Sequence, residues 1–159
     1  MRIHTLQTEL WMPRPLEEVF AFFSDAANLE ELTPPWLNFR ILTALPIEMR
    51  PGVLIDYHIQ YRVFPIRWRT EIAIWEPPYR FVDRQIKGPY RQWVHEHTFE
   101  SKDGGTLMRD RVDYAVPGWI LEPLVHDWVV GPDVKTIFDY REKKMRERFG
   151  TPVGTVPMA

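Results

Sequence analysis

The chain has 159 residues, 45% apolar and 26% charged, with a formal net charge of −2, which fits one soluble domain with a core of its own. That charge supplies no basic field for nucleic acid or anionic lipid, and the absence of cysteine removes disulfides, thiolate catalysis and thiolate metal sites. Met1-Arg2-Ile3-His4 opens no signal-peptide run, and no segment approaches the roughly 18 uncharged residues of a membrane helix, so a cytoplasmic protein without stable membrane insertion is expected.

The first element is a short strand, Ile3 to Trp11, ended by Pro13 and Pro15. Pro15 suits the first turn of a helix, where its missing donor is unpaired anyway. Leu16, Val19, Phe20 and Phe23 then keep helical spacing, with Glu17 and Glu18 at the positive end of the helix dipole. Asp25 is placed to cap a second short helix carrying Leu29 and Leu32, which Thr33-Pro34-Pro35 stops. Beyond Trp36 the period becomes two. Strands are predicted over Phe39 to Ala44, Val53 to Arg62, Ile66 to Ile74, Tyr79 to Ile86, Gln92 to Glu100 and Thr106 to Val116. The separating turns contain Pro46 to Gly52, Pro65, Pro77-Pro78, Gly88-Pro89 and Asp103-Gly104-Gly105, the last a strong hairpin signal. Strands at such short intervals argue an antiparallel meander.

The last stretch organises the rest. Leu121, Leu124, Val125, Trp128, Val129, Val134, Ile137, Phe138, Met145 and Phe149 recur at steps of three and four, opposite a charged face. Gly131-Pro132 interrupts this long helix and predicts a kink or two segments. A stripe this wide needs a large apolar partner, so Leu121, Leu124, Val125, Trp128, Ile137 and Met145 are expected to face the concave side of the sheet. Residues 1–150 then form a single ligand-binding domain and residues 151–159 a frayed tail.

The element order β-α-α-β-β-β-β-β-β-α, with Pro15-Leu16-Glu17-Glu18-Val19-Phe20, Pro65-Ile66-Arg67-Trp68, Gly88-Pro89-Tyr90, His95-Glu96-His97-Thr98-Phe99, Asp110 and Ile137-Phe138-Asp139-Tyr140-Arg141, resembles the START/Bet v 1-like superfamily, the SRPBCC or polyketide cyclase/dehydrase group. The resemblance runs over residues 3 to 149 and is to its small bacterial stand-alone domains. It implies an α+β helix-grip fold: a curved antiparallel sheet of six to seven strands wrapped around a long C-terminal helix, with two short helices after the first strand. It also implies an internal cavity for a hydrophobic small molecule such as a lipid, polyketide or isoprenoid-like compound. Fold membership leaves the activity open.

Three polar residues carry the candidate chemistry. His95 and His97 share a strand face with Trp93 and Phe99, and Asp110 on the next strand falls opposite them unless a bulge at Gly104-Gly105 turns it outward. They suit an acid/base group with its tautomer fixed by Asp110, or a metal site, or wall residues tied into a network with Asp110 and Asp83. With no third histidine nearby, the metal reading is the weakest, and no metal or cofactor is expected. Tyr57, Tyr61, Trp68, Phe81, Gln85, Trp93 and Trp128 are candidates for the cavity lining, although a plain aromatic core accounts for any one of them. Trp36 and Phe64, apolar residues on loops, are candidates for a cavity rim or for a hydrophobic plug. Two function classes follow: a binding module without chemistry, which the residues favour, or a cyclase or dehydratase using the cavity His and Asp. Neither nucleic acid nor a defined oligomer is implied.

Overall fold

The computed structural model describes residues 1–118 and 121–150, with Trp128 described by its backbone alone. The strands are β1 (His4–Met12), β2 (Arg40–Ile41), β3 (Leu54–Tyr61), β4 (Phe64–Glu76), β5 (Arg80–Lys87), β6 (Gln92–Lys102) and β7 (Gly105–Ala115). The helices are α1 (Leu16–Phe23), α2 (Leu29–Leu32), α3 (Glu122–Val125) and α4 (Gly131–Phe149). Short 3-10 turns at Ala26–Asn28 and Pro35–Leu37 flank α2.

The seven strands form one antiparallel sheet in the order β1-β7-β6-β5-β4-β3-β2. It is a meander whose first strand pairs with its last, the α+β helix-grip arrangement. Register shifts at Arg69/Thr70 and Ile72/Ile74 break the β4–β5 ladder, and such irregularities bend a strand and deepen the curl of a sheet. The β6–β7 hairpin has no bulge: its register runs unbroken from Gln92↔Ala115 to Lys102↔Gly105. Asp103 and Gly104 both have positive φ, the twist that matches two antiparallel strands in a two-residue turn. The turn after β3 differs from expectation. It falls on Arg62, at φ 56, and Val63, while Pro65 lies inside β4 opposite Gln60.

The expected long helix is broken in two, as Gly131-Pro132 suggested, but through a turn of π-helix at His126–Val130. A Cβ on Gly131 would come 3.0 Å from the His126 carbonyl oxygen and 3.2 Å from its ring, so the widened turn and the glycine belong together. A π turn takes in an extra residue and slips the helical phase. The inward stripe therefore steps by five, from Val125 to Val130, before resuming at Val134, Ile137, Phe138, Arg141, Met145 and Phe149. Leu121 and Leu124, read from sequence as inward, lie on the far side of that slip and are 61% and 59% exposed. The Trp128 side chain and the tail 151–159 lie outside the described residues. His4 fastens α3 to the sheet edge: its Nε2 is 2.5 Å from Glu122 Oε1, and its ring stacks on His126 at 3.5 Å.

The core has a closed end and a loose one. At the closed end α1 contributes Leu16, Val19, Phe20, Phe22 and Phe23, packed with Met12, Phe99, Met108, Met145 and Phe149. Phe20 meets Phe81 and Phe99 edge-on at 5.9 and 5.2 Å, a favourable geometry for aromatic rings. Toward the other end a space remains between the sheet and α4.

Candidate functional site

That space is a cavity of about 330 Å³ between α4, the α1–α2 connection and strands β3 to β6, within the range of small-molecule sites. Its wall includes Leu29, Leu37, Ile55, Ile59, Ile66, Ile72, Val134 and Ile137. Aromatic rings supply much of the rest. Tyr57 stacks on Trp68 at 5.8 Å, and Trp93 stands edge-on to Trp68 at 5.6 Å. Burial raises the Tyr57 hydroxyl above its ordinary pKa, and the charge of Asp83 adds to this, so Tyr57 stays a neutral hydrogen-bond donor. The Tyr61 hydroxyl bonds to Asp133, which Arg62 Nη2 also approaches at 3.4 Å, joining the β3–β4 hairpin to the first turn of α4.

One patch of the wall is charged. Across the ladder Asp83 faces His95 and Asp110 faces His97, yet the side chains reach diagonally. His95 Nε2 lies 2.7 Å from Asp110 Oδ1, and His97 Nε2 lies 2.7 Å from Asp83 Oδ2. His97 Nδ1 is 3.0 Å from Asp110 Oδ1 but off the line of a hydrogen bond. The two imidazoles stack at 3.7 Å, and Phe81 covers His97 at 4.1 Å. From α4, Arg141 brings its Nη2 to 3.6 Å from Asp110 Oδ1 while its guanidinium lies over Phe23.

The titrations diverge because two stacked rings do not both carry charge at low cost. Burial and the charge of His97 lower the pKa of His95, only partly offset by Asp110. Burial acts the same way on His97, but the two carboxylates beside it, Asp110 and the hydrogen-bonded Asp83, outweigh it and raise the pKa. Burial raises both carboxyl groups. At Asp83 the bond from His97 reverses this, and at Asp110 the Arg141 charge and both imidazoles hold the pKa well below 3.8. His97 is therefore the proton-holding member, set between two carboxylates. Donor atoms of Asp83, His95 and His97 come within 4.8 Å of one another, a set that fits a metal ion by type. Arg141 already places a cation beside these carboxylates, and each Nε2 is committed to one, so the patch is better suited to a proton than to an ion.

Of the residues picked from sequence, Tyr57, Tyr61, Trp68, Phe81, Trp93, His95 and His97 line the cavity. Four do not, and each has a reason. Asp110 is inward and buried but one layer back, beneath Phe138 and Arg141. Gln85 clamps the turn after β5, bonding to the Tyr90 carbonyl and amide at 2.7 and 3.2 Å. Trp36 is 56% exposed and rests edge-on against Tyr140 on the outside of α4, and Phe64 is 64% exposed at the hairpin tip. Arg141 and the cavity-facing position of Asp83 were missed as site residues. The signal for Arg141 was available: it stands three residues after Phe138 and four before Met145, on the apolar stripe.

A family model described as "Polyketide cyclase / dehydrase and lipid transport" matches residues 12–131. The chain belongs to this family. Members of the polyketide cyclase/dehydrase and lipid-transport family share a ligand-binding fold, and solved structures agree with that assignment. Protein CV1439 from Chromobacterium violaceum superposes with a TM-score of 0.72 at 12% identity, covering 93% of this chain and 98% of that one. Ara h 8.0201 gives 0.58 at 15%, covering 92% and 99%. The di-domain ARO/CYC StfQ from the steffimycin biosynthetic pathway gives 0.63 at 12%, covering 92% of this chain and 52% of that one. At these identities the likeness is one of fold. No curated protein matches the chain.

Proposed function

We propose that the protein binds a hydrophobic small molecule, of lipid, polyketide or isoprenoid-like class, in the cavity between sheet and α4. The observation that carries this is a space of about 330 Å³ left open among aliphatic and aromatic side chains, where close packing is the rule in protein interiors. A ligand completes those contacts. Native mass spectrometry of gently purified protein, with uptake of N-phenyl-1-naphthylamine as a second measurement, tests the reading. A bound mass or a saturable rise in dye fluorescence is the expected result; neither appearing would overturn it.

One observation favours a second reading, a cyclase or dehydratase. Asp83 and His97 form a hydrogen-bonded pair at 2.7 Å and both line the cavity, within the reach proton transfer requires. In such a reaction the Asp83 carboxylate takes a proton from the carbon between two carbonyls of the ligand, and the imidazolium of His97, beside Asp110, gives its proton to the ligand oxygen that becomes the enol hydroxyl. Conversion of a synthetic poly-β-ketone by wild-type protein, lost in Asp83→Asn with dye uptake retained, would support it. No conversion by the wild type would leave binding alone.

A further inference from the structure

Outside the cavity, a second group of titratable side chains lies where α3 and the π turn meet the edge of the sheet. The His4 and His126 rings lie face to face there, 3.5 Å apart and within 5° of parallel. His4 Nε2 meets the buried Glu122 carboxylate at 2.5 Å. His126 has a partner at each nitrogen, Asp127 Oδ1 at 2.9 Å from Nδ1 and the Tyr114 hydroxyl at 2.8 Å from Nε2. A neutral imidazole satisfies both, giving a proton at Nδ1 and accepting one at Nε2. Gly131 at the start of α4 confines the same ring, since a Cβ there would come 3.2 Å from it.

These side chains make an attachment that the backbone does not. Among the described residues no backbone hydrogen bond joins residues 122–130 to the sheet, yet this segment supplies Val125 and Val130 to the cavity wall. What holds it to β1 and β7 is His4, Tyr114 and the packing of the two valines against the cluster of Val112, Tyr114 and Val134.

Histidine is the side chain whose charge changes between about pH 5 and 8. One proton on this pair is well placed, on His4 beside Glu122. A second must sit on His126, directly against the first. The carboxylate bonded to His126 is Asp127, which is mostly exposed, and exposed ion pairs contribute little. Arg2 and His4 also lie in the field of Asp127, so it is already shared with other cations. Tyr114 brings no charge to the ring, and α4 faces it with Gly131. Stacked like charges therefore meet little compensation.

We propose that the stacked His4 and His126 rings are an acid-sensitive latch: charging both drives α3 and the π turn away from β1 and β7, opens the cavity wall at Val125 and Val130, and releases the bound molecule. The latch rests on the binding reading above and adds its regulation. Separating the rings is the movement that relieves their repulsion. The segment that carries His126 breaks no strand ladder when it moves, so its opening needs no global unfolding.

The test is the dissociation rate of N-phenyl-1-naphthylamine from the full chain, measured by stopped-flow dilution at pH 7.5 and pH 5.0, since the dye carries no charge at either. The rate should rise about tenfold or more in acid, because like charges this close oppose one another by more than thermal energy even at a wet surface. In His126→Gln, which keeps a hydrogen-bonding side chain but no chargeable ring, the ratio of the two rates should fall by about tenfold. His97 titrates in both proteins, so the comparison isolates the latch. His4→Gln removes the repulsion from the other side and should behave alike, so either variant serves if the other does not fold; should neither fold, the wild-type rates decide. Equal or slower release at pH 5.0, an unchanged ratio in the variants, or release that coincides with loss of far-UV circular dichroism would overturn the inference and leave the binding reading intact. Absence of dye binding at both pH values would defeat the binding reading itself, and the latch with it.

Discussion

Asp110 holds the charged patch together, and replacing it by Asn removes the charge while keeping the shape. Its Oδ1 receives His95 Nε2 at 2.7 Å and has His97 Nδ1 at 3.0 Å and Arg141 Nη2 at 3.6 Å. Its side chain is about 5% exposed, so solvent does little to screen these interactions. Asp110→Asn leaves the Arg141 cation buried with its nearest carboxylate gone, and breaking a buried pair in this way costs about 3–5 kcal/mol. Against a total stability of about 5–15 kcal/mol for a folded domain, that is a large fraction. In thermal terms it corresponds to a fall in Tm of roughly 6–20 °C for a chain of this size. Urea unfolding at pH 7, followed by tryptophan fluorescence and circular dichroism, gives the loss directly. Adding Arg141→Met should recover part of it, with a coupling of about 0.5–3 kcal/mol. A loss under about 1 kcal/mol, or strict additivity of the two substitutions, would refute the reasoning that the pair is buried and mutually dependent.

The remaining predictions address titration, phase and surface. The raised pKa of His97 contributes stability that is fully present below its ordinary value of 6.5 and is lost as pH rises through the folded-state value. The difference in Tm between wild type and His97→Gln should therefore shrink as pH increases above 6.5; a difference that grows toward alkaline pH would contradict this. The π-turn slip predicts a loss of about 3–5 kcal/mol for Phe138→Ala but a change within about 0.5 kcal/mol for Leu121→Ser, both read by urea unfolding. A large loss at Leu121 would restore the unbroken stripe. Phe64→Ser should leave stability within about 0.5 kcal/mol and dye affinity within about twofold of wild type, whereas weakened uptake would make the hairpin tip part of the cavity entrance.

The strands were legible because their inner and outer residues alternate, and because Asp103-Gly104 is suited to only a few turn geometries. His95, His97 and Asp110 could be assigned to one side of the sheet from parity alone, once the hairpin proved free of bulges. What parity does not give is layering. Asp110 and Asp83 share that side, yet α4 packs over Asp110 and leaves Asp83 open to the cavity. The helix was read with a single period through residues 121 to 149, and a π turn carries no composition that reveals it, so Leu121 and Leu124 were turned the wrong way. Arg141 was lost for the opposite reason: its position was right for the stripe, but its charge grouped it with the solvated face. For Trp36 and Phe64 an apolar residue in a loop or turn gives no direction in the sequence: one rests against Tyr140 and the other stands at a hairpin tip.

The pairing of the first strand with the last bears on the order in which the molecule assembles. Every other neighbour in the sheet is also a neighbour along the chain, whereas β1 finds its partner only when β7 is in place, through the ladder from His4↔Tyr114 to Met12↔Thr106. Such distant pairings form late because the intervening chain must first give up its freedom. α1 and α2 hang from β1 and α4 follows β7, so the enclosure has neither its end nor its cover until that final seam closes. A ligand then has nothing to hold in the folding transition state. It should act as a lock on the finished molecule, slowing unfolding in proportion to its affinity while leaving the refolding rate unchanged. Stopped-flow folding with and without N-phenyl-1-naphthylamine would show this directly, and faster refolding in its presence would mean that the cavity takes shape before the seam.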